Sequence, residues 1–219
     1  MEALVVLGTG TEIGKTYVSR GLAKAWPGCC ALKPVETGVT PGNQAEDAAA
    51  LSRAANHDYQ PPLYAFERPV SPHLEARRMA RPIDLLEVRK WVAATARALG
   101  RERALVESAG GAFSPLATET FNADLAETLR AGFECRVLLV APDRLGVLHD
   151  VVATQRALAA HSRAADAIVL SQGTAGEQRL GNAEELRALQ PAPVFEVAHG
   201  APSPPTLVRY LEETFRAGH

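Results

Sequence analysis

The chain has 219 residues, 47% apolar and 22% charged, with a formal net charge of −2. That is enough chain for one substantial α/β domain, and the near balance of charge argues against general affinity for nucleic acid or acidic membranes. No apolar stretch approaches a membrane span, no basic-then-apolar leader opens the chain, and three cysteines, adjacent at Cys29 and Cys30, make neither a disulfide framework nor a metal-ligand spacing, so reduced core thiols in a cytoplasmic protein are expected.

The first element is the apolar run Ala3 to Leu7, too short for a helix and rich in strand formers. Gly8-Thr9-Gly10-Thr11-Glu12-Ile13-Gly14-Lys15-Thr16 follows, and then a helical pattern, Tyr17 to Trp26, with Val18, Leu22, Ala25 and Trp26 on one face. Strand, loop and helix are the context a phosphate-binding loop requires. Its backbone N–H groups and the positive helix end would hold a polyphosphate. Lys15 would reach the outer phosphates and the Thr16 hydroxyl would ligate Mg²⁺. The spacing departs from the general consensus, since five residues rather than four separate Gly8 from Gly14. A dinucleotide-binding turn also uses glycines here, but it wants an acidic residue after the second strand, where this chain has Leu32-Lys33-Pro34.

Cys30 to Leu32 is a short strand leading into a loop, Lys33-Pro34-Val35-Glu36-Thr37-Gly38. Residues 46–55 are helical in composition. Ser71 is placed to cap a helix with Pro72 at its first position. Asp84 caps a long amphipathic helix to Leu99, which Gly100 stops. Strands follow at 104–107, 136–141, 167–170 and 194–197, and helices at 124–130, 148–160, 183–189 and 206–215. This alternation predicts an α/β fold: three layers, with a mostly parallel sheet between helices, in one domain over 1–219. Ligands then gather at the carboxyl ends of the strands, where the loops 8–16, 33–38, 107–111, 142–149 and 171–176 all lie.

Lys33 is a second cation facing that crevice, at the end of an exposed strand, so its loss should spare the fold. Phosphoryl transfer needs such charge around the moving group. Glu107 ends a buried strand, where a charge needs a partner, and can hold Mg²⁺ directly or through water. Asp47 either supplies a second carboxylate or complements the dipole of its helix. Gly110-Gly111 permits close backbone approach to a ligand. His149 lies near a helix start. The Ser71-Pro72-His73 turn has no assigned chemistry.

Together these motifs resemble the dethiobiotin synthetase family. Its loop reads Gly-Thr-Asp-Thr-Glu-Val-Gly-Lys-Thr, with the same unusual spacing, and here only Gly10 and Ile13 differ. Its Lys-Pro-Val-x-[Ser/Thr]-Gly motif is Lys33 to Gly38, its Ser-Pro-His turn is Ser71 to His73, and its Glu-Gly-Ala-Gly-Gly is Glu107 to Gly111. Phe113-Ser114-Pro115-Leu116 and a loop at Leu145 to His149 complete the order.

The resemblance implies a P-loop NTPase-like fold. It implies that 7,8-diaminopelargonate takes up CO₂ as a carbamate, that the γ-phosphate of ATP activates it as a carbamic–phosphoric anhydride, and that the second amine closes the ring to dethiobiotin, ADP and phosphate. Lys15, Lys33 and Thr11 would be catalytic. Thr16, Asp47 and Glu107 would hold Mg²⁺. The nucleotide would be held by Glu12, Ile13, Gly14, Lys15, Thr16 and Tyr17, by Asp47, Glu107, Ser108, Ala109 and Gly110, and by Ser171, Gln172, Ala198, His199 and Gly200. Thr11, Lys33 and Thr37 would hold the diamine. The family is a homodimer with its substrate site at the interface, so Leu145, Gly146, Val147, Leu148 and His149 of a partner would hold the carboxylate. Ser171 stands where the family usually has an adenine-reading asparagine, and Ala198-His199-Gly200 replaces a Pro-Trp-Leu-like stretch. Other readings are another amidoligase of this fold, although 219 residues leave no room for a glutaminase domain, and a nucleotide-switch ATPase, whose loop carries a lysine where Gly10 stands.

Overall fold

The structure, a computed structural model, describes residues 1–172 and 181–217. Its ten strands are β1 (Glu2–Gly8), β2 (Cys29–Leu32), β3 (Val35–Thr37), β4 (Tyr64–Phe66), β5 (Arg103–Glu107), β6 (Pro115–Ala117), β7 (Thr120–Phe121), β8 (Glu134–Pro142), β9 (Ala167–Ser171) and β10 (Val194–Val197). The helices are α1 (Lys15–Ala25), α2 (Glu46–Ala54), α3 (Pro72–Arg78), α4 (Leu85–Ala98), α5 (Asn122–Arg130), α6 (Val147–His161), α7 (Asn182–Leu189) and α8 (Pro205–Arg216).

Six strands form one sheet in the order β10-β9-β8-β1-β5-β2, and every neighbouring pair is parallel. Such strands are covered on both faces and read as continuous apolar runs. β1 shows the sorting: Ala3, Val5 and Leu7 pack on one face with Val88, Val92 and Ala96 of α4 and Leu125 and Leu129 of α5. Leu4 and Val6 face the other way, onto Val18 and Leu22 of α1 and Leu207, Leu211 and Phe215 of α8. Ala25 is half-buried, and Ala23 takes the core position expected of it.

α4 carries its apolar residues at 88, 92 and 96, one face of a 3.6-residue period. The Asp84 carboxylate accepts from the Leu86 amide at 2.8 Å, a cap that contributes about 1 kcal/mol. Cys29, Cys30 and Cys135 are free and buried. Burial pushes the thiols of Cys29 and Cys30 up to about 11 and 12, which makes them inert. Among the described residues no helix is long and apolar enough to cross a membrane.

Two small sheets lie outside the expected set. The 33–38 segment is not wholly a loop: β3 pairs in parallel with β4, Thr37 opposite Phe66. β6 and β7 form an antiparallel pair. Strands of two or three residues are too short to carry a period. The strand order reverses beside β1, with β5 and β2 on one side and β8, β9 and β10 on the other. The carboxyl ends on either side of that switch open a crevice. Of the loop expected over 171–176, residues 173–176 lie outside the described residues.

Candidate functional site

The loop from Gly8 to Gly14 turns back over the end of β1 and starts α1. Gly14 is the N-cap in the left-handed region, φ +90°, and a Cβ there would meet the Ser171 Oγ at 2.4 Å. Only glycine satisfies both demands. Glu12 also holds a positive φ, +56°. The segment after β5 crosses this loop closely, since a Cβ on Gly111 would stand 3.3 Å from Gly10 Cα. It is fixed from below by Asn122, which is almost fully buried. The Asn122 amide donates to the carbonyls of Ala109 at 2.7 Å and Gly111 at 3.0 Å, and accepts from the Ala109 amide at 3.2 Å.

A cavity of about 620 Å³ opens at the crevice, lined by residues 11–17, Lys33, Glu36, Thr37, Asp47, Glu107, Ala109 and Gly110, with Pro69 to Pro72 on the far wall. The expected residues of the first two motifs, with Asp47 and Glu107, thus converge. Lys33 is 5% exposed and Glu107 0%, which corrects the expectation of an exposed strand end at Lys33. β2 is an edge strand, but its end is closed over by the ion-pair cluster. Lys33 Nζ lies 2.5 Å from Glu107 Oε1 and 2.9 Å from Asp47 Oδ2. The Thr16 hydroxyl donates to the same Glu107 oxygen at 2.8 Å.

The electrostatics follow. Burial works against the charge on Lys33, but Glu107 and Asp47 outweigh it and hold the ammonium well above the ordinary lysine range. Asp47 is likewise opposed by burial, yet the Lys33 charge and hydrogen bond keep its carboxyl below the usual range. Lys15 has no such partner: its Nζ donates to the Gly10 carbonyl at 2.9 Å, and burial, followed by repulsion from Lys33, lowers its pKa to about 8. It is a cation waiting for anionic charge.

Glu36 was not singled out in the sequence. Its carboxylate accepts from the amides of Asp47 at 2.9 Å and Ala48 at 3.0 Å, clasping the start of α2 and so setting Asp47 against Lys33. Burial raises its pKa despite those bonds. An acidic residue three places beyond Lys33 was the one available sign. Asn122 left no sign, because its partners are backbone groups brought close only by the fold.

Other expected residues lie elsewhere. Ser108 is buried behind the cavity. Ser171 is buried against Gly14, and the Gln172 backbone N–H donates to the Val197 carbonyl at 3.0 Å. The Tyr17 hydroxyl reaches the carbonyls of Ala198 at 3.0 Å and Ala201 at 2.7 Å, and its ring runs near-parallel to that of His199, 6.4 Å away. Leu145 to His149 do not line the cavity: Gly146 caps α6, Val147 is buried and Leu145 stands 88% exposed. Ser71 is the N-cap of α3 as expected, but its side chain caps nothing, because its hydroxyl is engaged with the His73 ring.

The donor set suits a hard divalent cation. Glu107 Oε2 is buried with no hydrogen-bond partner among the described residues, Thr16 and Asp47 stand beside it, and Mg²⁺ takes one or two carboxylates while keeping waters. No group of three or more His, Cys, Asp or Glu side chains among the described residues is arranged to hold a metal alone.

A family model described as an AAA domain matches residues 2–198. The ATP-dependent dethiobiotin synthetase BioD of Rhodopirellula baltica is 33% identical over 201 residues, 83% of this chain and 78% of that protein. The enzyme of the same name from Paramagnetospirillum magneticum is 32% identical over 210 residues, 94% and 96% of the two chains. The chain belongs to the ATP-dependent dethiobiotin synthetase family. Dethiobiotin synthetases are ATP-dependent ligases of biotin synthesis, which is the activity this chain inherits with the family. The fold is shared more widely: HypB from Helicobacter pylori in complex with nickel superposes with a TM-score of 0.55 at 19% identity, over 100% of this chain and 88% of that one. In this dethiobiotin synthetase the cavity brings together a phosphate loop and two buried lysines beside Asp47 and Glu107.

Proposed function

We propose that the chain, acting as one domain, converts 7,8-diaminopelargonate, CO₂ and ATP to dethiobiotin, ADP and phosphate in this cavity. The observation that carries the reading is the convergence of Lys33, Thr16, Asp47 and Glu107 in one hydrogen-bonded cluster, with Lys15 on the wall of the same cavity at the phosphate loop. Carbamate and γ-phosphate repel, and the work of the site is to neutralise both while holding them together. Residues 12–17 would hold the triphosphate, with Lys15 on its outer end. Lys33, Thr11 and Thr37 would hold the amines and the carbamate, so that the second amine stands beside the activated carbon.

Thr16, Asp47 and Glu107 would hold Mg²⁺, which when bound neutralises phosphate charge. Ala109 and Gly110 would approach the nucleotide through backbone. The base would lie toward Tyr17, Ser171, Gln172 and Ala198-His199-Gly200. We place the carboxylate of the diamine on Leu145 to His149 of a second copy. Two features support a homodimer: those residues lie outside the cavity of their own chain, and Leu145 projects an apolar side chain at the tip of the loop.

The deciding assay follows phosphate release and dethiobiotin together. Both should require ATP, Mg²⁺, bicarbonate and diaminopelargonate, in equal stoichiometry. Phosphate release without the ring-closed product would overturn the reading.

A further inference from the structure

The Ser71-Pro72-His73 turn has no part in the chemistry above. Serine is among the best N-cap residues, and a serine cap contributes about 1 kcal/mol. Ser71 forgoes that bond: α3 starts at Pro72 with no side-chain cap, and Ser71 Oγ instead lies 2.9 Å from Nδ1 of His73. Ser71 lines the cavity and His73 does not, so the ring stands behind a residue of the cavity wall. The wall is set by secondary structure. β4 pairs beside β3, and the Val39 amide donates to the Phe66 carbonyl at 2.9 Å. Both bonds hold the chain entering this turn alongside Thr37.

Ring closure releases a proton, and the other groups in the cavity are poorly placed to take it. Lys33 is a cation held by Asp47 and Glu107, and those carboxylates are held in turn by Lys33. Glu36 is bound to two backbone amides, and the Tyr17 hydroxyl is turned to carbonyls at 198 and 201. Lys15 faces the phosphates, and Glu12, although it lines the cavity, is exposed to solvent. Ser71 has an imidazole behind its hydroxyl, whereas the acceptor behind the Thr16 hydroxyl is Glu107, already bound by Lys33.

We infer that the Ser71–His73 pair accepts the proton of ring closure; this rests on the diaminopelargonate reading. The free amine donates a hydrogen bond to Ser71 Oγ. Its nitrogen attacks the carbonyl carbon of the carbamic–phosphoric anhydride, a C–N bond forms, and the C–O bond to phosphate breaks with its electron pair leaving on phosphate. The surplus amine proton passes to Ser71 Oγ as the serine's own proton passes to His73 Nδ1. The relay uses the His73 tautomer protonated on Nε2. Ser71 is then a catalytic residue, and His73 a positioning residue that acts through it.

Rapid-quench single turnovers with ATP, Mg²⁺, bicarbonate and diaminopelargonate separate the two half-reactions. Ser71→Ala and His73→Ala should form ADP within about threefold of the unaltered rate but dethiobiotin at least tenfold more slowly, the low end for loss of general base catalysis. Ser71→Thr should restore closure, and added imidazole should restore it in His73→Ala. Equal slowing of both steps, or undiminished closure, would overturn the role of the pair alone. No diamine-dependent ADP formation in the unaltered protein would overturn the parent reading with it.

Discussion

At the phosphate end of the crevice most charges are committed, Lys15 apart: Lys33 bridges Glu107 and Asp47 at 2.5 and 2.9 Å, Thr16 binds Glu107, and Glu36 locks the helix that presents Asp47. At the opposite end, near Tyr17 and residues 198–201, contacts run to backbone carbonyls and one pair of rings, and Ser171 turns into the loop rather than outward. The first end fixes a charge pattern in a buried place, where mistakes are expensive. On the proposed reading the base lies at the second, against groups that any flat base could satisfy. Chemistry and base selection are therefore separable here, and substitutions at the two ends should differ by orders of magnitude.

The largest effect is expected from Lys33→Ala. Turnover should fall about a thousandfold or more, as expected when a main electrostatic stabiliser is lost. Stability should also fall by about 3–5 kcal/mol, because Glu107 is left buried and unpaired. Adding Glu107→Gln should return much of the stability and none of the activity. Thermal melts and kcat on both proteins test this, and an unchanged melt for the single variant would mean the pair is not the buried anchor described.

Next comes the metal ranking. Glu107→Gln should raise the Mg²⁺ requirement by about a hundredfold and Asp47→Asn by about tenfold, the span seen when metal surroundings are altered. Glu107 is fully buried with an unpaired oxygen, whereas the Asp47 side chain is 39% exposed. Reversed Mg²⁺ titrations would show that Asp47 is the nearer group.

Lys15 supplies a pH test. Its pKa of about 8 should rise once phosphates bind beside it. Below pH 8 the lysine is already charged and binding moves no proton. Above pH 8 binding must take one up, so nucleotide affinity should fall with pH, approaching tenfold per unit. Calorimetry in two buffers of different ionisation enthalpy at pH 8.5 should detect the uptake, and no buffer dependence would refute it.

The smallest effect belongs to the other end. GTP and CTP should support turnover within about tenfold of ATP, or about 1.4 kcal/mol, since a serine hydroxyl at 171 lacks the paired donor and acceptor with which an amide rejects a wrong base. Comparing kcat/KM for the three nucleotides decides it. A hundredfold preference for ATP would mean that backbone at 197–200 reads the base edge.

Most of the six-stranded sheet was legible, because parallel strands buried on both faces announce themselves as apolar runs such as Val137 to Ala141. The phosphate loop, Lys33 and Glu107 were legible for a different reason: charged or glycine residues at strand ends break those runs. What escaped was tertiary in origin. β4, β6 and β7 are too short for any period, and Asn122 and Glu36 act on backbone amides and carbonyls that become neighbours only after folding. The burial of Lys33 escaped too, since nothing local says that an edge strand will be covered at its end.

The central place of β1 also sets an order of events during synthesis. Residues 2–8 pair with 103–107 on one side and 134–142 on the other, so the first strand made stays without either neighbour until nearly a hundred further residues have emerged. At translation speeds of roughly 5–20 residues per second that wait is on the order of ten seconds. Through it Ala3 to Leu7 remain an apolar, strand-forming segment with open edges, the kind of stretch that invites chaperone holding. The phosphate loop attached to β1 can take its final shape only after the ribosome has passed the middle of the message.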